Sequence, residues 1–457
     1  MTEVERLAQF VVNADYQRIS LPARDALKAR VLDALGCAIG ALDGPPVRRI
    51  RAYTEQAGGH PLATLIGGGM TAPDRAAFYN GALVRYLDFN DSYLAKGETC
   101  HPSDNLAPVL AAGEFAGGSG KDLLTALAVA YQVQCRLSDV APVRARGFDH
   151  TVQGSYAASA AVSKALGLDA AKTANAIAIA GTAFNALRVT RTGRLSNWKG
   201  LAYPNASFGA VHAAFLAMHG ITGPLEVFEG NKGFKDAIAG PFTIDWPSED
   251  LERVRMTIVK KFNAEIHSQT ALEGMLELRQ AGLRAAEVER IDLEVFDVAF
   301  NIIGGGEEGD KHAVHTKEEA DHSLPYMVAV ALLDGAVGPA QYQPARIASE
   351  DVQSLLRRVS VKPAADLSAR FPGEMPVRIR VQLAGGRALA LDKADYEGFH
   401  TRPMSWPAVA AKFELLAAPD ADPALRREII DAVASLESIS IASLTQLLAK
   451  AEIRRAA

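Results

Sequence analysis

The chain lacks several features that define specialised classes of protein. Its 457 residues include only three cysteines, Cys37, Cys100 and Cys135. These are too few and too scattered for a disulfide framework, a CxxC metal site or an iron–sulfur cluster. No run approaches 18 uninterrupted apolar residues, and the N-terminus lacks the basic start and apolar core of a signal peptide. We therefore expect a soluble, cytoplasmic protein.

An excess of positive charge is also missing. There are 48 Lys and Arg against 53 Asp and Glu, a formal net charge of -5 without any block of like charge. Because a phosphate backbone is bound by a basic face, nucleic acid is not expected as a partner. The sequence holds no G-x-S-x-G elbow, no P-loop, and no G-x-G-x-x-G after a strand. Its composition, 49% hydrophobic and 22% charged, is that of a globular protein of two or three domains.

The first 240 residues carry helical patterns. Segments 21–42 and 120–140 repeat apolar residues at three- and four-residue steps. Segments 156–168, 170–187 and 206–220 are dense in Ala, Gly and Ser, which lets helices approach closely. This half is predicted to be all-α and buried in a large bundle.

The pattern changes after about residue 246. Segments 253–262 and 290–300 and the run "RRVSVKPA" alternate and are rich in β-branched residues, which predicts strands. Segment 376–395 predicts a hairpin that turns at Gly385 and Gly386. "SLPYMVAVALLDGAV" between them predicts a helix, and the C-terminus returns to helices.

These patterns together predict a mostly α fold with an α+β part. A large all-helical domain would comprise residues 1–264 and 401–457, with a smaller domain of residues 265–400 inserted in it. We expect the C-terminal helices to pack on the first domain, since isolated short helices are marginal.

One polar stretch, "YLDFNDSYLAKGETCHPSDN" at residues 86–105, gathers acids and bases between two helical segments. His101 precedes Pro102, which keeps His101 out of a helix. A helix is predicted to start immediately afterwards, with Ser103 or Asp104 as its cap and with N–H groups that favour a carboxylate ligand. Cys100 as a thiol nucleophile is disfavoured, because side chains adjacent in sequence seldom face each other.

Further candidate residues lie beside sequence breaks elsewhere. His150 in "GFDHTVQGS" precedes a predicted long helix, and His267 lies in "NAEIHSQTA". Lys199 in "SNWKGLAYP" is a candidate anion anchor. Three arginines just upstream add a carboxylate-sized positive patch: Arg188, Arg191 and Arg194. The spacing of His312, His315 and His322 lacks a firm ligand geometry, so no metal site is expected there.

With these residues assembled, the chain resembles the MmgE/PrpD family over nearly its whole length. The matching stretches include "VLDALGCAIGAL", "GALVRYLDFNDSY", "HPSDNLAPVLAAGE", "LSNWKGLAYPNASFGAVHAAFLA", "GPLEVFEGNKGF", "KKFNAEIHSQTALE" and "ADHSLPYMVAVALLDG". The family contains 2-methylcitrate dehydratases, cis-aconitate decarboxylases and an iminodisuccinate epimerase. The resemblance implies a helical domain with an α/β lid, a homodimer, no metal or organic cofactor, and a role in propionate metabolism.

The resemblance also implies the site residues, motif by motif. The catalytic set would be Asp88, His101, Lys199, His267 and Tyr326, and the substrate-binding set would be Ser92, His150 and Arg191. Two positions depart from the pattern "DFDDT" that is common in the family: Asn90 replaces an aspartate, and Ser92 replaces a threonine. Together with the length of "AKGETC", these departures weaken a decarboxylase assignment.

Dehydration of a 2-methylcitrate-like acid needs one group to take a proton and another to protonate the leaving oxygen. Fixed cations and N–H donors must stabilise the charge beside the carboxylate. We hypothesise that Asp88 and His101 form the acid–base pair, in either direction. Lys199, His150 and His267 would bind carboxylates, and Tyr326 would donate a hydrogen bond or proton.

Other reactions remain open for the same residues. Epimerisation of a small dicarboxylate and decarboxylation of cis-aconitate pass through similar carbanion-like species, so residue types alone do not choose between them. Dehydration is the favoured reaction. A non-catalytic carboxylate-binding protein is disfavoured, because all the acid–base residues are present.

Overall fold

The structure is a computed structural model that describes residues 1–193 and 195–453. It confirms a mostly α fold with an α+β part. Two compact units are present: the first comprises Met1–Arg191, Asn197–Thr257 and Ser405–Ala457, and the second comprises Thr192–Ser196 and Ile258–Met404. Among the described helices, none combines the length and the apolarity that crossing a membrane requires.

The first unit is a bundle of α-helices with two short hairpins. Its central helices are lined with Ala, Gly and Ser, and their buried surfaces extend over most of their circumference, as the sequence predicted. The α-helices are Glu3–Asn13, Leu21–Ile39, Pro45–Ala57, Pro73–Tyr86, Leu106–Phe115, Gly120–Val140, Thr151–Ala165, Ala170–Ala183, Ala202–Met218, Trp406–Ala417, Pro423–Ala434 and Ile441–Leu448.

The predicted all-α character of this half is wrong in two places. Antiparallel pairs form between Ala63–Thr64 and Met70–Thr71, and between Tyr93–Ala95 and Glu98–Cys100. Strands of two or three residues are too short to show a period-2 pattern, so the sequence carries no readable signal for them. The second pair lies inside the polar stretch at residues 86–105 and shapes the candidate site.

The C-terminal helix Trp406–Ala417 packs on the helix Leu21–Ile39 within the first unit. A Cβ at Gly36 would lie 3.2 Å from the Phe413 backbone, so glycine allows the close approach of the two helices. Between them, the Lys412 ammonium lies 2.6 Å from a carboxylate oxygen of Asp33, and both side chains are buried. Both ends of the chain therefore contribute to one helical core.

The second unit contains a four-stranded sheet and several helices. Strand Val288–Val295 pairs parallel to Val359–Pro363 on one side and antiparallel to Val377–Leu383 on the other, which pairs with the edge strand Ala388–Lys393. The predicted hairpin is confirmed, with φ of 85° at Gly385 and 83° at Gly386. The helices are Gln269–Gln280, Asp297–Ala299, Lys317–Ala320, Leu324–Asp334, Pro344–Ile347, Glu350–Leu356 and Ala365–Ser368.

The strand predicted at residues 253–262 is wrong. Arg253–Met256 forms a 3-10 turn, and no ladder follows it in the described chain. The Thr257 carbonyl instead accepts from the buried Arg30 guanidinium at 2.7 Å, and the Val259 N–H donates to the Gly398 carbonyl. Individual tertiary partners satisfy this backbone, so its alternating side chains have no sheet to join.

Candidate active site

Asp88 follows the end of the helix Pro73–Tyr86 in an unusual backbone conformation. Its φ is +54°, in the left-handed region that side-chain-bearing residues seldom adopt, and its N–H donates to the Arg85 carbonyl at 3.1 Å. A strained backbone conformation of this kind persists only where surrounding contacts hold it in place, and such conformations concentrate at functional sites. The turn directs a buried carboxylate into the bundle.

The Asp88 carboxylate lies between two cations. Arg85 donates from Nη1 to Asp88 Oδ1 at 2.7 Å and to Asn90 Oδ1 at 2.9 Å, and Lys199 Nζ lies 3.4 Å from Asp88 Oδ2. The predicted residues Asp88 and Lys199, 111 positions apart, are therefore in contact. Sequence reasoning missed Arg85, because an arginine in a helical pattern gives no sign that it is buried.

Asn90 connects this ion-pair network to the motif that follows His101. Its amide donates to Ser103 Oγ at 3.0 Å and to Asp104 Oδ1 at 2.8 Å. An aspartate at position 90 would place a further carboxylate beside Asp88 and Asp104. The departure from the family pattern therefore lowers the negative charge at this point.

Asp104 does not cap a helix, and neither does Ser103, so that prediction is wrong. Pro102–Asn105 forms a 3-10 turn, the helix begins at Leu106, and no side chain caps either element. The Asp104 carboxyl is buried instead. Burial raises its pKa to about 7, and the nearby Arg85 charge offsets this only in part.

His101 is held in one tautomer. Its Nδ1 lies 2.8 Å from the Asp91 carbonyl oxygen and 3.0 Å from Ser92 Oγ. Because a carbonyl only accepts, Nδ1 carries a proton, and the neutral ring has its lone pair on Nε2. Asp91 is itself fixed, since its carboxylate accepts from the Ser103 N–H at 3.0 Å and from the Tyr131 hydroxyl at 2.8 Å.

The short hairpin explains why Ser92 and His101 meet. Tyr93 pairs with Cys100, so the residues that flank this pair, Ser92 and His101, are neighbours across the hairpin. The segment "AKGETC" supplies the turn and the returning strand of this hairpin. Its length therefore sets the position of the imidazole.

His150 lies beside His101, just before the helix Thr151–Ala165, as the sequence indicated. The two imidazole rings are 5.3 Å apart at their centroids, and Tyr203 lies on another side at 6.1 Å. Burial lowers the pKa of His150 to about 3; Asp149 acts to raise it, and Arg191 lowers it further. His150 is therefore a neutral ring at pH 7. Among the described residues, neither of its ring nitrogens has a hydrogen-bond partner.

Arg191 forms an ion pair with a buried carboxylate. Its Nε donates to Asp149 Oδ2 at 2.5 Å, while Asp149 Oδ1 accepts from the Thr151 N–H at 3.1 Å. Burial on its own would raise the pKa of Asp149, but the charge and the hydrogen bond of Arg191, together with other nearby charges such as that of Arg188, hold that pKa below its usual range. Sequence reasoning missed Asp149. Arg194, the third arginine of the predicted patch, lies outside the described residues.

In the second unit, the His267 ring is held by Glu265. His267 Nδ1 lies 2.7 Å from Glu265 Oε1, and the ring lies against Phe296 and Phe371. Tyr326 belongs to the helix Leu324–Asp334, and its hydroxyl donates to the Gln341 carbonyl at 2.5 Å. Burial raises the pKa of Tyr326, which is consistent with a neutral phenol. Different neighbours therefore hold these two predicted site residues, Glu265 for His267 and Gln341 for Tyr326.

The first unit thus gathers most of the predicted residues in one largely buried cluster that is joined by hydrogen bonds, ion pairs and ring contacts. It brings together Asp88, Ser92, His101, His150, Arg191 and Lys199, and adds Arg85, Asn90, Asp91, Asp104 and Asp149. Imidazoles, carboxylates and cations gathered in this way are the side-chain types that proton abstraction next to a carboxylate requires. A cluster of this kind is typical of enzymes that catalyse acid–base reactions on small carboxylic acids.

Comparisons with known proteins place this class within one family. The MmgE/PrpD N-terminal domain matches residues 5–247, and the MmgE/PrpD C-terminal domain matches residues 262–438. The chain belongs to the MmgE/PrpD family.

Two bacterial relatives and one fungal relative are named as 2-methylcitrate dehydratases. The chain is 31% identical over 366 residues to the 2-methylcitrate dehydratase of Escherichia coli (strain K12), covering 75% of this chain and 73% of that protein. It is 29% identical over 414 residues to the 2-methylcitrate dehydratase of Cupriavidus necator, covering 83% and 82%. It is 30% identical over 362 residues to the mitochondrial 2-methylcitrate dehydratase of Yarrowia lipolytica (strain CLIB 122 / E 150), covering 74% and 68%.

Proposed function

We propose that this protein is a hydro-lyase that dehydrates 2-methylcitrate, or a closely similar citrate-like acid, to 2-methyl-cis-aconitate. The names of the relatives support this reaction. The observation that carries the proposal is the His101 tautomer, which leaves the ring lone pair on Nε2 within a buried cluster of cations and acids. A base of this kind suits removal of a proton from carbon beside a carboxylate.

We infer that His101 is the base of the hypothesised acid–base pair and revise the acid: Asp88, which lies between two cations, positions Lys199 as the proton donor and does not donate the proton itself. His101 Nε2 accepts the proton, the C–O bond breaks, and the departing hydroxyl is protonated to water. On the acid side, the Asp88 carboxylate holds the Lys199 ammonium at 3.4 Å, and that ammonium is the proton donor. Arg85, on the other side of Asp88 at 2.7 Å, keeps this carboxylate in place.

Other predicted residues would bind the substrate carboxylates. His150, a neutral ring, offers one N–H, and the pair of Arg191 with Asp149 orients the arginine. Ser92, His267 and Tyr326 are further proposed contacts on the strength of the family resemblance. A neutral, non-titrating donor at His150 would keep its role constant over the physiological pH range.

Proton NMR in D2O tests the reaction. EDTA-treated protein is incubated separately with 2-methylcitrate, cis-aconitate and iminodisuccinate. We expect loss of water from 2-methylcitrate at about 1 per second or faster. His101→Gln, which keeps a polar side chain but removes the base, is expected to abolish turnover while His60→Gln, an exposed control, retains it. Inversion or deuterium exchange on iminodisuccinate without dehydration would replace the reaction with epimerisation.

The assembly, the compartment and the lack of a cofactor are also proposals. We propose a cytoplasmic homodimer that works without a metal or organic cofactor. Light scattering should give about twice the 48.6 kDa mass of the chain. Full activity after exhaustive EDTA treatment and dialysis is expected, and activity that returns only with an added metal ion would contradict the cofactor-free mechanism.

A further inference from the structure

Glu265 uses both of its carboxylate oxygens on a single residue. Oε1 lies 2.7 Å from His267 Nδ1, and Oε2 accepts from the His267 N–H at 2.7 Å. Glu265 is the N-cap of the 3-10 turn Ile266–Ser268, which leads directly into the helix Gln269–Gln280. The carboxylate therefore holds both the backbone and the ring of His267.

The charge of Glu265 determines which ring nitrogen carries a proton. Burial would raise the pKa of Glu265, but His267 and the nearby charges of His322 and Lys260 bring it to about 2. Glu265 is therefore ionised at neutral pH and can only accept hydrogen bonds. Nδ1 of His267 must carry the proton, and Nε2 is the atom left for another partner.

The surroundings of the ring leave Nε2 without such a partner inside the described chain. The side chain of His267 is 0% exposed, and Phe296 and Phe371 lie against the ring at centroid distances of 5.6 Å and 5.8 Å. Within the parts of the chain that the structure describes, no group forms a hydrogen bond with Nε2. A buried polar atom of this kind is costly unless a ligand satisfies it.

We propose that Glu265 is a positioning residue that fixes His267 so that Nε2 binds a carboxylate of the substrate. This inference rests on the proposed function for the identity of the ligand. A carboxylate at Nε2 requires a proton there, so the bound ring carries protons on both nitrogens. The imidazolium then lies between two anions, Glu265 and the substrate carboxylate, in charge-assisted hydrogen bonds. At metal sites, a carboxylate that accepts from the second ring nitrogen of a metal-binding histidine commonly has this orienting role.

Kinetics of four variants test the inference. Glu265→Gln is expected to raise KM for 2-methylcitrate about 10- to 100-fold with little change in kcat, because carboxylate binding is shared by ground and transition states. His267→Gln should have a similar effect. In the double variant the two effects should not add, since Glu265 acts through His267. Glu273→Gln removes another buried glutamate, one that contacts lysines, and should leave KM unchanged.

A second readout does not depend on turnover. In 15N-histidine-labelled wild-type protein, NMR is expected to show His267 with Nδ1 protonated, and its Nε2 signal should shift when citrate is added. The His267→Gln spectrum assigns the signal. If 2-methylcitrate is not turned over but this signal behaves as described, the positioning role stands and only the proposed reaction fails.

Two results would overturn the positioning role. One is a neutral His267 with its proton on Nε2 in the wild-type protein. The other is a folded Glu265→Gln variant whose KM equals that of the wild type, or whose effect adds fully to that of His267→Gln.

Discussion

The buried carboxyl of Asp104 gives the protein a pH dependence that can be worked out from the structure. Its pKa is raised from the ordinary 3.8 to about 7 in the folded chain. The folded state therefore binds this proton more tightly than the unfolded state does. The resulting stabilisation is fully present below the ordinary pKa and is lost as the pH rises through the folded pKa.

Asp104→Asn removes this titration while keeping the shape of the side chain. An asparagine oxygen can still accept from Asn90 Nδ2, which lies 2.8 Å from Asp104 Oδ1. From the two pKa values, the wild-type chain should lose about 2 kcal/mol more stability than the variant when the pH rises from about 5.5 to about 8. Titrations elsewhere in the chain are common to both proteins and cancel in the comparison.

Urea denaturation at the two pH values measures this difference. The free energies of unfolding of wild type and Asp104→Asn should converge, or cross, as the pH rises. If the two curves of stability against pH run parallel within about 0.5 kcal/mol, then Asp104 has an ordinary pKa and the reasoning from burial is wrong. A variant more stable than wild type at high pH would show that this carboxylate is retained for function rather than for stability.

Two further substitutions test the packing around the cluster. Gly154→Ala would place a Cβ 2.3 Å from the Tyr203 ring, so thermal denaturation should show a free energy of unfolding about 1–3 kcal/mol lower than that of the wild type. In the control Gly200→Ala, the new Cβ meets nothing within 4 Å, so stability should not change. Equal effects of the two substitutions would contradict this explanation. Lys412→Met leaves the buried Asp33 without its ion-pair partner. Urea denaturation should therefore give a free energy of unfolding about 3–5 kcal/mol lower than that of the wild type. Adding Asp33→Asn should restore part of the loss, and no recovery would contradict the ion-pair explanation.

Much of the fold follows from the sequence because its signals are local. Helices with a repeat of apolar residues, and the hairpin with Gly385 and Gly386 at its turn, were predicted and are confirmed. The strand predicted at residues 253–262 fails, since its backbone partners are Arg30 and Gly398, which are distant in sequence. A pattern shows what a segment can form, whereas its tertiary partners decide what it does form.

The candidate site likewise divides into residues that local sequence patterns indicate and residues that only tertiary contacts reveal. The stretch at residues 86–105 is distinguished by its composition, and it holds much of the cluster. Arg85 and Asp149 were missed because their importance comes from contacts with residues that pattern reasoning did not connect to them. The roles assigned to Asp88, His101 and the other site residues stay predictions until the variants are measured.

The contact between Lys412 and the polar stretch has a consequence for biosynthesis. The Lys412 ammonium donates to the Phe89 carbonyl at 2.8 Å, directly after the strained turn at Asp88, and the two residues are 323 positions apart. At ribosomal rates, roughly 15 to 65 s of synthesis separate them. The nascent helical unit therefore exposes an unsupported turn and an unpaired Asp33 while the rest of the chain is made. The helix that carries Lys412 must be synthesised before these two contacts can form. A truncation before residue 412 would therefore remove the hydrogen bond to Phe89 and the ion pair with Asp33.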